Sequence, residues 1–187
     1  NDKLSAGIDI SGRHSVVSEP GSDVASIIGA VRRTAPIYPW VTPNGNPAYV
    51  QIGANTWALS QEKLKGYNRN WYQEAVVNMK VAYSPIKEIR LDVSYSTKFN
   101  FDSNKVYNNI VPFYDVDDNP VTTVQKRALV QRRNYTFNDD FKFLINFDKD
   151  FHKHSIQLLA GFQQITYYGE NLYGRIEGSE FNYDQIA

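Results

Sequence analysis

The chain contains no cysteine, which excludes disulfides, thiolate metal sites and a cysteine nucleophile. It has no excess of either charge: 20 basic and 20 acidic residues give a formal net charge of zero. Nothing therefore draws it to nucleic acid, whose binding rests mainly on neutralising phosphates. No apolar run approaches the roughly 20 residues of a membrane-spanning helix, and no signal peptide is visible. A Gly-rich phosphate loop is missing, as is a nucleophile elbow with Ser, His and Asp partners. Glu170 and Glu177 fall in an expected loop, with nothing to place them as a hydrolytic pair. The motifs thus point to no enzyme and to no cofactor.

Aromatics are plentiful, at 14% with 13 Tyr and 10 Phe, which suits strands more than helices. A chain of 187 residues is long enough for one β domain with a real core. The clearest pattern lies in residues 139–168. Phe141, Phe143, Ile145 and Phe147 alternate with Lys142 and Asn146, with Leu144 as the apolar exception; Ile156, Leu158, Ala160 and Phe162 then alternate with Ser155, Gln157 and Gln163. This period of two belongs to a strand. The charged interruption 148–153 predicts a tight antiparallel connection, hence a hairpin with one apolar and one polar face.

Leu4, Ala6, Ile8 and Ile10 predict a first strand over residues 3–17. Ser22 or Asp23 then caps a helix over 24–33. Arg32 and Arg33 suit its C-terminus, and Pro36 and Pro39 prevent its continuation. Residues 40–70 read as irregular, with turn signals at Pro43, Asn44-Gly45 and Pro47. Ala75, Val77, Met79, Val81 and Tyr83 make a second strand, residues 84–88 a tight turn, and Ile89, Leu91, Val93, Tyr95, Thr97, Phe99 and Phe101 a third. A polar connection over 102–135 holds a strand-like segment at 122–130, and a tail follows Tyr168. Long and short connections alternate. Outer-membrane barrels do this systematically, with short periplasmic turns and long extracellular loops. A soluble β-sandwich fits the same strands, and a purely structural β domain is a third reading. Connections this long are generally functional.

Three local signatures carry a family resemblance. A helix leads into Arg33-Thr34-Ala35-Pro36-Ile37-Tyr38-Pro39, followed by Asn44-Gly45 and Tyr49; a strand, a Tyr83-Ser84-Pro85-Ile86 turn and a second strand meet within 75–95; and a charged turn with His152 and His154 leads to Leu159-Ala160-Gly161-Phe162. In order and spacing, these resemble the SusC/RagA-like TonB-dependent outer-membrane transporters of Bacteroidetes. The resemblance implies that residues 1–187 are a middle segment of an antiparallel, up-and-down transmembrane β-barrel in the cell outer membrane. The plug, the TonB-contacting segment and most strands would lie elsewhere. It implies import of a glycan or peptide with a SusD-like surface lipoprotein as lid, energy coupling through the TonB complex, and outer-membrane lipid against the apolar face. Lys80, Arg90, Asp92, Lys142 and Gln157 would line the lumen. The expected sheet is incomplete, with its edges paired to polypeptide outside this stretch.

The candidate contact residues are Trp40, Tyr49, Trp57, Tyr67 and Trp71, with Tyr72 beside them, all in or beside the first long connection. Aromatic rings among polar neighbours stack on sugars or anchor a partner protein; such a long loop also needs rings for its own packing. His152 and His154 would share one face of a strand, but the further ligands a metal needs are not evident. Asp115, Asp117, Asp118 and Asn119 read as a solvated loop, because the Gly and the distal Glu of a calcium loop are missing.

Overall fold

The computed structural model describes residues 3–123, 125–152 and 154–178. In chain order its elements are β1 (Leu4–Pro20), α1 (Val24–Arg33), α2 (Thr56–Ser60), α3 (Glu62–Lys65), β2 (Gly66–Ile86), β3 (Ile89–Asn108), β4 (Phe113–Tyr114), β5 (Pro120–Val121), β6 (Arg127–Phe151) and β7 (His154–Gly178). The protein is all-β and mostly antiparallel. The five long strands form one sheet in the order β1-β2-β3-β6-β7, and β4 pairs with β5. Each long strand therefore neighbours the long strand before it, as the up-and-down reading expects. The sheet does not close: β1 and β7 are its edges.

The chain divides into two compact units. The first comprises Asn1–Ser15, Tyr72–Asp102 and Asn134–Asn171; the second comprises Val16–Trp71, Ser103–Arg133 and Leu172–Ala187.

In the first unit the alternation has its expected consequence. One face carries rings in cross-strand contact: Phe99 with Phe137 (centroids 4.8 Å apart), Phe101 with Tyr135 (4.9 Å) and Phe141 with Phe162 (6.4 Å). The other carries a polar ladder: Ser96 Oγ donates to Asn78, Asn100 Nδ2 to Thr136, Asn146 Nδ2 to Asp92 and Gln163 Nε2 to Asp140. Such cross-strand pairs fix the register, because a slip of one residue would exchange the faces. Thr97 is the one buried residue described in this unit. Leu4, Ile8, Ile10, Met79, Val81, Ile145, Ile156, Leu158 and Phe162 are exposed, since no second sheet layer among the described residues covers them. The short β2–β3 turn lies beside the last residues of β6: Asp148 N–H donates to Glu88 O at 2.9 Å.

Leu144, the exception in the pattern, lies on the polar side. There a Cβ added at Gly161 would stand 2.5 Å from Leu144 Cδ2. The glycine of the Gly161-Phe162 pair thus leaves room for the Leu144 side chain on the wet face.

The strands are longer than the sequence pattern predicts. β2 begins at Gly66 rather than near residue 75, β3 continues to Asn108 and β6 starts at Arg127. The ladder propagates into polar sequence because backbone pairing with a neighbouring strand does not require apolar side chains. Two helices, α2 and α3, occupy part of the stretch read as irregular. α1 spans 24–33 as expected, and its cap is Asp23, whose carboxylate accepts from Ser26 N at 2.9 Å. The predicted interruption at 148–153 contracts to the turn at His152, which has φ 52°, while β6 runs on to Phe151. His152 and His154 therefore do not share a strand face. The expected tail after Tyr168 is strand as far as Gly178. Lys153 of the expected turn, Val124 of the expected strand-like segment and residues 179–187 of the expected tail lie outside the described residues.

The packed core sits in the second unit, where Leu129, Val111, Ala58, Ala48, Val50 and Tyr67 are buried. Here β2 starts under steric constraint. Gly66 has φ +98°, and a Cβ on it would lie 1.9 Å from Tyr107 O. Gly45 also has positive φ, at +84°, with open space around it. Gly66→Ala is expected to cost about 2–4 kcal/mol, from strain plus a backbone clash, and Gly45→Ala about 1 kcal/mol from strain alone. Denaturant titration of the two variants checks this; equal costs would contradict the packing at Gly66.

Candidate functional site

Within the second unit the two long connections meet at main-chain level. Tyr49 N–H donates to Tyr114 O at 2.7 Å, and Tyr114 N–H donates to Pro47 O at 3.0 Å. This parallel bridge between Ala48 and Tyr114 joins residues far apart in sequence. β4 and β5 extend it through Phe113 with Val121 and Tyr114 with Pro120.

Side-chain amides hold the irregular backbone in place. Asn55 is buried; its Nδ2 donates to Trp40 O at 2.6 Å and Ala48 O at 2.8 Å, while its Oδ1 accepts from Ala58 N at 3.0 Å. One residue thus caps α2 and pins both arms of the loop. Gln125 does the same for Val111, accepting from its N–H and donating to its carbonyl, each at 3.1 Å. Asp118 ties the second connection to the first: its Oδ1 accepts from Thr42 Oγ1 at 2.7 Å and Asn46 Nδ2 at 3.2 Å, and its Oδ2 accepts from Asn44 Nδ2. Its φ of 64° is one that Asp tolerates better than most residues. Asp115 closes the adjacent turn, accepting from Asn119 N at 2.8 Å and Asp117 N at 2.9 Å.

These contacts frame an open groove of about 620 Å³. Tyr38, Pro39, Val41, Tyr49, Tyr114 and Val116 supply its apolar and aromatic walls. Its size and lining are those of a ligand site: mostly apolar, with a few polar groups.

Of the sequence candidates, Tyr49 lines the groove. Trp40 adjoins it, since its carbonyl holds Ala48 N and Asn55 Nδ2. Trp57 lies on α2, partly exposed. Tyr67 is buried, 6.0 Å from the Tyr107 ring and covered by the Arg69 guanidinium at 4.2 Å, so it packs the unit. Trp71 lies on β2, as does Tyr72 in the first unit. Tyr38, Pro39, Tyr114 and Val116 were not among the contact candidates read from the sequence. The turn signals around Asp117-Asp118-Asn119-Pro120 mark a loop, but nothing local says which other loop it meets.

The five expected lumen residues share the polar face of the first unit. Arg90 pairs with Asp92 at 2.9 Å and Lys142 with Asp140 at 2.8 Å, while Gln157 Nε2 donates to Asp148 at 3.1 Å. Lys80 lines a hollow with Arg90 and Asp92. Among the described residues no three His, Cys, Asp or Glu gather where a metal would sit. No described helix is long and apolar enough to cross a membrane, which says nothing of strands.

No protein-family model matches this chain, and no curated protein matches it.

Two predictions test the loop architecture. Asn55→Ala removes a cap and leaves two carbonyls without their donor, at an expected cost of about 2–4 kcal/mol; urea unfolding followed by Trp fluorescence measures it. The second concerns acid. The Thr42 hydroxyl, followed by the Asn44 and Asn46 amides, holds the Asp118 carboxyl below its ordinary range. The Asn119 and Asp117 N–H groups do the same for Asp115. A carboxyl more acidic in the folded state contributes stability above its unfolded pKa of about 3.9 and loses that contribution as pH falls through the folded value. The near-UV signal of the loop tyrosines is therefore expected to decay below about pH 4. In Asp118→Asn that acid dependence shrinks, and stability at pH 7 is lower.

Proposed function

We propose that this chain is a stretch of barrel wall from an outer-membrane TonB-dependent transporter of the SusC/RagA type, importing a glycan or peptide with a SusD-like lipoprotein. The observation that carries the reading is the uncovered two-faced sheet. Long strands run in meander order, with aromatic and aliphatic side chains on one side and a hydrogen-bonded polar ladder on the other. A water-soluble fold would cover such a face with a second layer, whereas a barrel turns it to lipid and its polar face to the lumen. The strands, of 17 to 25 residues, exceed the roughly 9–11 residues a tilted transmembrane strand needs. The adjacency of Glu88 and Asp148 supports one common end for the short turns, the side that faces the periplasm in such barrels.

A barrel stable in lipid leaves no edge unpaired, so β1 and β7 pair with further strands under this reading. The plug and the TonB contact also belong to polypeptide outside residues 1–187. Transport is then a property of the assembled barrel, and this stretch supplies wall and outer loops.

Arginine at the apolar face provides the test. In vesicles, Val77→Arg or Ile145→Arg is expected to cost about 2–4 kcal/mol if the site lies near the bilayer midplane, while Lys142→Gln on the polar face costs far less. Folding equilibria of the reconstituted barrel that contains this stretch measure the difference. Cooperative unfolding in plain buffer, with Ile145 protected from solvent, would overturn the membrane reading in favour of a soluble β-rich binding module.

A further inference from the structure

The apolar face of the first unit is not apolar along its whole length. Phe99 touches Phe137, and two residues further along each antiparallel strand Thr97 comes level with Asp139. Phe141 touches Phe162, and the same step in the other direction brings Asp139 level with Gln164. The polar face gives the same register, through Asn100 with Thr136 and Gln163 with Asp140. Three polar residues therefore form a row across β3, β6 and β7, on the face that carries the rings. The Tyr95 hydroxyl donates to Asp139 Oδ1 at 2.8 Å, and Asp139 forms no ion pair among the described residues.

The row divides the face. Towards the turn at 84–88, the residues on this face run from Ile89 to Tyr95 on β3, Phe141 to Phe147 on β6 and Ile156 to Phe162 on β7. Each of them is Ile, Leu, Val, Ala, Phe or Tyr. Beyond the row, rings and charge mix: Tyr135 lies 6.1 Å from Tyr168, whose hydroxyl donates to Glu170. From Ile89 to Thr97 a strand rises about 26 Å, which is about 20 Å of height at the tilt of such barrels. Ile86, exposed at the end of β2, extends the apolar band at the turn. The apolar belt of an outer-membrane barrel is roughly 25 Å tall, with aromatic girdles at both edges. A carboxylate without a counter-ion is costly inside hydrocarbon and is accommodated at its edge, where water reaches it.

Taking the wall to stand in a bilayer, as the transporter reading has it, we propose that the row of Thr97, Asp139 and Gln164 marks the outer limit of the hydrocarbon. Asp139 sits level with the lipid headgroups, and the rings beyond it, from Phe99 and Phe137 to Tyr168, form the outer girdle. Ile145 and Leu158 lie near the middle of the band between row and turn. Val77, level with Thr97 by the Ser96–Asn78 contact, lies at its edge, so of Val77 and Ile145 only Ile145 meets the midplane.

The test uses the whole barrel that contains this stretch, in dimyristoylphosphatidylcholine vesicles. Leu158 and Thr166 stand on one strand and one face, both exposed. Leu158→Arg is expected to lower the folded-to-unfolded ratio at least about 30-fold and Thr166→Arg at most about fivefold. Nitroxide labels on Leu158→Cys and Thr166→Cys, in a cysteine-free barrel, give a second readout. The label at 158 should collide mainly with oxygen, which dissolves in hydrocarbon, and the label at 166 mainly with a water-soluble nickel chelate. These labels report depth even where an arginine variant fails to fold. A comparable loss for Thr166→Arg, or a chelate excluded from both labels, would overturn the boundary and leave the membrane reading standing. A chelate that reaches the label at 158 as freely as the one at 166 would overturn both.

Discussion

A strand sends successive side chains to opposite faces, and among the described residues of the first unit no second sheet layer hides either one. Everything else in the first unit follows from that constraint. The apolar face gains what it can from ring contacts across strands, such as Phe99 on Phe137 and Phe141 on Phe162. The polar face pairs amide with amide and charge with charge, as in Lys98 with Glu74 at 2.6 Å and Arg90 with Asp92 at 2.9 Å. Exposed pairs of this kind contribute little stability each, so their clearer effect is on register. Under the proposed reading, lipid is the solvent for the apolar face.

The second unit solves a different problem. Its long connections cross one another without extended ladders, yet their backbone groups must still find partners. Side chains take the part that a neighbouring strand takes elsewhere. Asn55 supplies two donors and one acceptor, Gln125 mimics a strand partner for Val111, and Asp118 gathers three donors from the opposite loop.

The sequence by itself determined the all-β class, the two-faced strands and α1, since each depends on periodicity or capping within a few residues. Phe141 to Phe147 could hardly be read otherwise, and Asp23 with Arg32 and Arg33 bracketed the helix. The ends of the strands were less legible. β2 and β3 run through Asn68, Arg69, Asn70 and Asn104 because a neighbour's backbone holds them, and no local hydrophobicity announces that. The groove was the least legible part. Tyr49 stood out as an aromatic in a long loop, but its wall partner Tyr114 is joined to it by a bridge between Ala48 and Tyr114, 66 positions apart. Only the tertiary structure decided which rings face the groove and which, like Tyr67, are used up in packing. Contacts between distant loops depend on closure of the chain, and periodicity carries no information about that closure.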